Sequence, residues 1–485
     1  VANRISGASS RQIMWRYIVE GDLILDTPAH FGSGDSSGTE MIILQDALEG
    51  LPLLPGTSIA GALRHYLHTR LYGYRHEVEN DQSVVATLFG EANEEENYGI
   101  QSRVIVDDAL GNKTPMSIRE QVKIDPEKSL ADDGALFSFQ VWPIETTFRL
   151  RFELEILQGD VHDNLLKGFL TALLGLAQGE IPLGARKNRG LGRFHMKNWR
   201  MKAIDTQQSS HLLWWLREGG QPLSGQSVDK LQDLFDDSLP QFYDHRRFVR
   251  IDSAYRLCDS MLIRSESEMV HLQTNGVPVV SGSSLAGAIR ARASKIAQTI
   301  QLPNAETVIN DMFGQFGGDG NAPRDQQTLP AGRVLVQEHF IDGGVTGWVQ
   351  NRVKIDRFTG GAVDKALFDQ QPVFGLEDTR VYVCVELRIP DKKSEKYHEL
   401  LHRAQIGLLF LVLKDLWTED VVIGGDASVG RGRLSGEFAN ITIQHDDVKH
   451  IELQRQTQEI RVDYPAVLEA YVEDLYEYIK GGASV

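Results

Sequence analysis

A stretch of 14 residues occurs twice in this chain, and any fold must accommodate both copies. Leu51-Pro52-Leu53-Leu54-Pro55-Gly56-Thr57-Ser58-Ile59-Ala60-Gly61-Ala62-Leu63-Arg64 returns as Val277-Pro278-Val279-Val280-Ser281-Gly282-Ser283-Ser284-Leu285-Ala286-Gly287-Ala288-Ile289-Arg290, 226 positions later (282 minus 56). Each copy reads as the end of an apolar strand, a glycine turn, a hydroxyl able to cap a helix, and a helix opening. The small residues of its first turn leave two uses open: tight packing on a neighbour, or approach of a phosphate to the free N–H groups.

Further echoes keep the same order. Glu40-Met41-Ile42 answers Glu268-Met269-Val270, Leu88-Phe89-Gly90 answers Met312-Phe313-Gly314, and Arg103-Val104-Ile105-Val106 answers Arg333-Val334-Leu335-Val336. Val122-Lys123-Ile124-Asp125 answers Val353-Lys354-Ile355-Asp356, and both halves close on a glycine-basic loop, Gly184–Phe194 and Gly424–Leu434. Offsets drift only from 224 to about 240, which is the signature of tandem duplication. Strands are expected at Met14–Asp26, Phe248–Cys258, Thr147–Ile156 and Thr379–Ile389, with a glycine-serine loop at Thr27–Asp35. Leucine-rich helices are expected at Asn164–Leu176 and Leu400–Leu416. This order suits an α+β fold, an antiparallel sheet with helices on one face. The expected organisation is a first domain at 1–204, a linker at 205–245, a second domain at 246–445 and a helical tail at 446–485.

The chain carries a net charge of -17, which argues against an anionic partner until its distribution is read. Arg186, Lys187, Arg189, Arg193, Lys197, Arg200 and Lys202 follow one another without an Asp or Glu between them. A local basic strip can hold nucleic acid on an acidic protein. Cys258 and Cys384 lie in strand-like runs and are expected to be reduced. With no long apolar run and no secretory leader in the opening residues, a cytoplasmic address and no membrane contact are expected.

The ordered set of turn-helix, Leu-Phe-Gly, Val353-Lys354-Ile355-Asp356-Arg357-x-Thr359-Gly360 and terminal glycine-arginine loop resembles the RAMP superfamily of CRISPR-associated proteins. It is similar in particular to type III backbone subunits, and the two copies resemble the fused double subunits of type III-D systems. The resemblance implies two ferredoxin-like (RNA-recognition-motif-like) domains, each projecting a thumb hairpin from 103–137 or 333–368. The implied partners are guide RNA (crRNA), target RNA and other CRISPR effector subunits. RNA contacts would fall at Ser58, Arg64, Lys123, Arg186, Lys187, Arg189 and Arg193, and at Ser284, Arg290, Lys354, Arg357, Arg431 and Arg433. The family also implies metal-dependent cleavage of target RNA by an acidic residue ahead of the turn, with Mg2+ or another divalent cation. Glu40 and Asp35, as metal ligands and catalytic residues, and Glu268 and Glu266 in the second half stand nearest that position.

Bland readings remain open for each site. Glycine loops are ordinary turns in most proteins, Arg64 and Arg290 suit a solvated helix face, and the loop acids suit a non-catalytic scaffold. His30 suits either acid-base work at a ribose hydroxyl or a hydrogen-bonded structural role. A guide-processing ribonuclease would need a dedicated histidine or lysine cluster.

Overall fold

The computed structural model describes residues 12–37, 40–76, 83–93, 98–125, 130–235, 240–265, 269–315, 331–394, 398–445, 447–456 and 459–482. The first half contains β1 (Ile13–Leu25), α1 (Gly56–Tyr72), β2 (Val104–Val106), β3 (Thr147–Leu157), α2 (His162–Ala177) and β4 (Phe194–Asp205). The second half repeats the order with β5 (Arg247–Cys258), α3 (Gly282–Thr299), β6 (Val334–Val336), β7 (Arg380–Ile389), α4 (Glu399–Trp417) and β8 (Arg433–Gln444). In both, four antiparallel strands lie fourth, first, third, second: β4-β1-β3-β2 and β8-β5-β7-β6. This is the β-α-β-β-α-β connectivity of a split β-α-β unit.

The period-two pattern explains the faces. Phe148, Leu150, Phe152, Leu154 and Ile156 of β3 are all buried, as are Val249, Ile251, Tyr255 and Leu257 of β5. Leu165, Phe169, Leu170 and Leu173 of α2 join β3 in one core cluster, and α4 does the same over β5 and β7. The expected leucine-rich helices are thus present, each extended by one or two residues at either end.

The chain folds into two compact units. One comprises Val1–Ile118, Phe139–Lys187 and Leu191–Arg246; the other comprises Arg119–Ser138, Asn188–Gly190 and Arg247–Val485. The linker of the first unit carries a short helix, Ser209–Glu218. Lys202 of β4 lies over the ring of its Trp214 (5.1 Å), and Arg200 donates to the Gly225 carbonyl (3.3 Å). The basic run read from sequence is therefore divided, because Arg200 and Lys202 contact the linker while Lys197 is exposed.

Beyond β8 the second unit adds β9 (Val448–Gln456), β10 (Glu459–Val462) and α5 (Pro465–Gly482). The tail helix packs on α4: a Cβ on Gly407 would stand 2.2 Å from the Tyr471 carbonyl oxygen, so only glycine permits the approach. Arg403 lies 4.6 Å over the Tyr471 ring and pairs with Asp474 at 2.7 Å.

His271, in the short strand Val270–His271, is buried, its Nε2 donating to the Val279 carbonyl (3.0 Å) and its Nδ1 accepting the Ile263 N–H (3.2 Å). Burial lowers its pKa from 6.5 to about 4. The folded pKa lies below the unfolded one, so the neutral ring's stability is fully present above pH 6.5 and is lost as pH falls from 6.5 toward 4. The expected loss is about 2–3 kcal/mol between pH 7.5 and 4.5. Urea unfolding followed at both pH values should show it, and His271→Gln should flatten that slope.

Candidate nucleic-acid interface

The exposed stripe of α1 comprises Thr57, Ser58, Gly61, Arg64 and His65, while Ile59, Leu63 and Leu67 face the core. A Cβ built on Gly61 meets nothing within 4 Å, and the same holds for Gly287 on α3. Interior helix glycine costs about 1 kcal/mol relative to alanine, and in neither copy does internal packing demand it. The preceding glycines are different. A Cβ on Gly56 would stand 2.2 Å from the Val106 carbonyl oxygen, so this first glycine serves the strand-to-helix junction. Ser281 caps α3 by accepting the Ser284 N–H (3.3 Å) and donating to Ser284 Oγ (2.9 Å), which leaves Ser284 half-buried. At the equivalent α1 position stands Pro55, and the Gly56 N–H is taken by Asp108 (2.7 Å).

The first glycine-basic loop is shaped by a left-handed Gly192 (φ 69°), where a Cβ would fall 1.8 Å from the Leu183 carbonyl oxygen; Gly432 repeats this against Ile423 at 2.0 Å. Arg186, itself left-handed at φ 57°, lies over the Phe139 ring at 4.6 Å. Lys187 is exposed and Arg193 is half-buried. His30 beneath the loop is buried, its Nδ1 2.7 Å from the Gln140 carbonyl oxygen, while the His30 carbonyl accepts the Ala185 N–H (2.9 Å). Of its two open roles, the structural one matches these contacts.

Two arginines read as RNA contacts converge instead on one helix end. Arg189 donates to the Phe313 carbonyl (3.1 Å) and Arg290 to that of Gly314 (2.5 Å), at the C-terminus of the helix Ala305–Phe313. Guanidinium groups suit these unpaired terminal carbonyls. Arg290 also donates to Asn310 Oδ1 (2.6 Å); burial, with Arg189 beside it, lowers its pKa to about 10.

The second glycine-basic loop differs as well. Arg431 is only 2% exposed, bonding Asp426 (3.3 Å) and Gln350 (2.5 Å), while Arg433 is exposed. Arg431 thus anchors the base of a hairpin formed by Gln350–Ile355 and Ala362–Gln370 and does not belong to the exposed basic surface. Lys354 and Arg357 are exposed on that hairpin. At its tip Asp356 Oδ1 accepts the N–H groups of Phe358 (2.9 Å) and Thr359 (2.8 Å), fixing a turn that leaves Phe358 97% exposed. Sequence reasoning passed over Phe358; an apolar residue inside an Asp-x-x-Thr-Gly turn was the available signal.

In the first half the stretch Thr27–Asp35, expected to be a loop, becomes a strand at Gly32–Ser37 paired with Glu40–Ile43. These two lie in a four-stranded sheet with the hairpin Ser117–Asp125 and Leu130–Val141, in the order 32–37, 40–43, 130–141, 117–125. Pairing with the hairpin supplies the strand conformation that glycine and serine do not favour on their own. Backbone register sets Glu40 opposite Ser37. The side chains of Asp35, Glu40 and Lys123 lie outside the described residues, as do Glu266 and Glu268 entirely. Among the described residues no three His, Cys, Asp or Glu side chains come together as metal ligands, so no chemical step is derived through a cation. Among them, too, no helix is long and apolar enough to cross a membrane.

A duplicated α+β protein, with an uncovered glycine turn and adjoining cations on the first helix of a split β-α-β unit, is the class these observations define. The family model of the RAMP superfamily matches residues 22–195 and 214–435, one copy per half, and the chain belongs to that superfamily. Membership carries a CRISPR-associated, RNA-binding role. No curated protein matches the chain.

Proposed function

We propose that this protein is a double backbone subunit of a type III CRISPR effector complex, holding guide RNA along the exposed faces of α1 and α3. The observation that carries the reading is the pair of helix glycines, Gly61 and Gly287, whose missing side chains nothing inside the protein requires. A bare turn lets a sugar-phosphate chain lie against the helix, with Arg64 one turn on and Lys187, Arg433, Lys354 and Arg357 exposed elsewhere on the two halves. The hairpins at 117–141 and 350–370 supply the thumbs that separate guide from target, with Phe358 as the apolar wedge of the second.

Gly61→Ala and Gly287→Ala test this with opposite signs. Each should raise unfolding free energy by about 0.5–1 kcal/mol, because alanine is the better helix former. Guide-RNA affinity, measured by filter binding, should nevertheless fall. Unchanged affinity in the stabilised variants would remove the basis of the reading.

A second reading adds target-RNA cleavage by Asp35 and Glu40 with Mg2+ or another divalent cation. It is favoured by the backbone, which sets both residues on the hairpin adjoining the first thumb. Matched target RNA and magnesium should then yield a cut opposite the first half, lost in Asp35→Ala or Glu40→Ala. A pure scaffold would leave the pattern of products unaltered by either change.

A further inference from the structure

The second unit carries, beyond the last residue matched to the family, an addition that bounds an unfilled apolar space with α4 of the matched region. Between α4, α5 and the strands β8, β9 and β10 lies a cavity of about 540 Å³ whose walls include Trp417, Ile441, Leu453, Ile460, Val462 and Val472. The space opens to solvent on one side, past Ile460, Glu469 and Glu473, so it is a groove and not an enclosed void. Trp417 is 2% exposed and its indole N–H has no acceptor among the described residues. β10 is the last strand of the sheet, and its Ile460 is 44% exposed.

Charge at the rim is one-sided. Lys414 is already paired with Asp415 at 2.8 Å. Glu469 and Glu473, one turn apart on α5 and both exposed, have no ion-pair or hydrogen-bond partner among the described residues. Both α4 and α5 offer pairs at helical spacing, Lys414 with Thr418 and Leu468 with Val472, the kind of relief into which a third helix packs.

We propose that this cavity is a docking site for an amphipathic helix of a partner protein, its apolar residues filling the space and its Lys or Arg residues meeting Glu469 and Glu473. None of the residues assigned to RNA lines it, so the site does not depend on the guide-RNA reading. Recognition is of the helix-in-groove kind.

The test uses the full chain and three labelled 14-residue peptides in fluorescence anisotropy: a leucine/lysine amphipathic helix, its leucine/glutamate counterpart and a serine/lysine counterpart without an apolar face. Only the first should bind. Glu469→Lys with Glu473→Lys should weaken it roughly tenfold, the loss of two surface charge pairs. Glu377→Lys with Asp378→Lys, exposed acids elsewhere in the unit, should leave affinity as it was. Val472→Trp, which fills the cavity, should abolish binding at an unchanged Tm; if that variant unfolds, the exposed glutamate pair alone decides. Equal binding of the serine/lysine peptide, an equal loss in the control pair, or no binding of the leucine/lysine peptide would each overturn the proposal.

Discussion

Reversing Arg64, Lys187 and Arg433 together to glutamate is expected to weaken guide-RNA binding on the order of a hundredfold at 100 mM salt, with the fold intact. All three side chains are exposed, so their replacement does not strip the core of a counter-charge. Three charge-assisted contacts to phosphate, each contributing about 1 kcal/mol, convert to about two orders of magnitude. The more diagnostic reading is the salt dependence. For single-stranded RNA, log K falls with log salt by about 0.7 per neutralised phosphate, so the slope should become shallower by about 2. An unchanged slope would mean that these side chains touch no phosphate. Arg189, Arg290 and Arg431 do not belong in such a test, because helix ends and Asp426 hold them and their loss would confound binding with unfolding.

Arg333→Ala should lower stability by about 3–5 kcal/mol, whereas Arg103→Ala, at the echoed position, should cost about 1 kcal/mol. Arg333 is 4% exposed; it bonds the Arg388 carbonyl (2.7 Å), Asp311 (2.5 Å) and Gln405, and Gln405 in turn donates to Asp311 (2.9 Å). Truncation leaves the buried Gln405 side chain and the Arg388 carbonyl without the guanidinium they accept from, and takes one partner from the partly exposed Asp311. Arg103 instead is 19% exposed where it pairs with Asp160 (2.9 Å), so water can replace the lost contact. Urea unfolding of the two variants should separate them clearly. Equal midpoints would show that the network around Arg333 is not what holds β6 to β7 and α4.

That pair also shows how far the sequence could be read. Order, periodicity and the echoes locate the strands and helices to within a residue or two, because each rests on a burial pattern the chain itself carries. Environment is another matter. Arg103 and Arg333 stand in the same four-residue echo, yet only one is buried, and there Gln405 of α4 joins the carboxylate partner, an addition the echo does not carry. The glycine-basic loops mislead in a similar way. Arg431 reads as an RNA contact with the first loop's arginines, but a 240-residue offset sets it against Leu191, a buried position, while Asp426 stands against Arg186. Gly32–Ser37 is a strand because Glu40–Ile43 pairs with it, a partner that local propensity cannot announce. The glycines Gly61 and Gly287, by contrast, were visible as small residues, and the fold shows that packing inside the protein does not require them.

The composition of the second compact unit has a consequence for dissection. It includes Arg119–Ser138 and Asn188–Gly190 from the first half, with Arg119 donating to Thr274 (2.6 Å) and Glu338 (3.2 Å) and Asn188 to the Gly332 carbonyl (3.0 Å). A gene cut in the connecting segment would therefore yield a downstream fragment deprived of both insertions, with Glu338 bereft of its guanidinium. The duplicated halves are not interchangeable modules on a string; each product of such a split would be an incomplete piece of masonry.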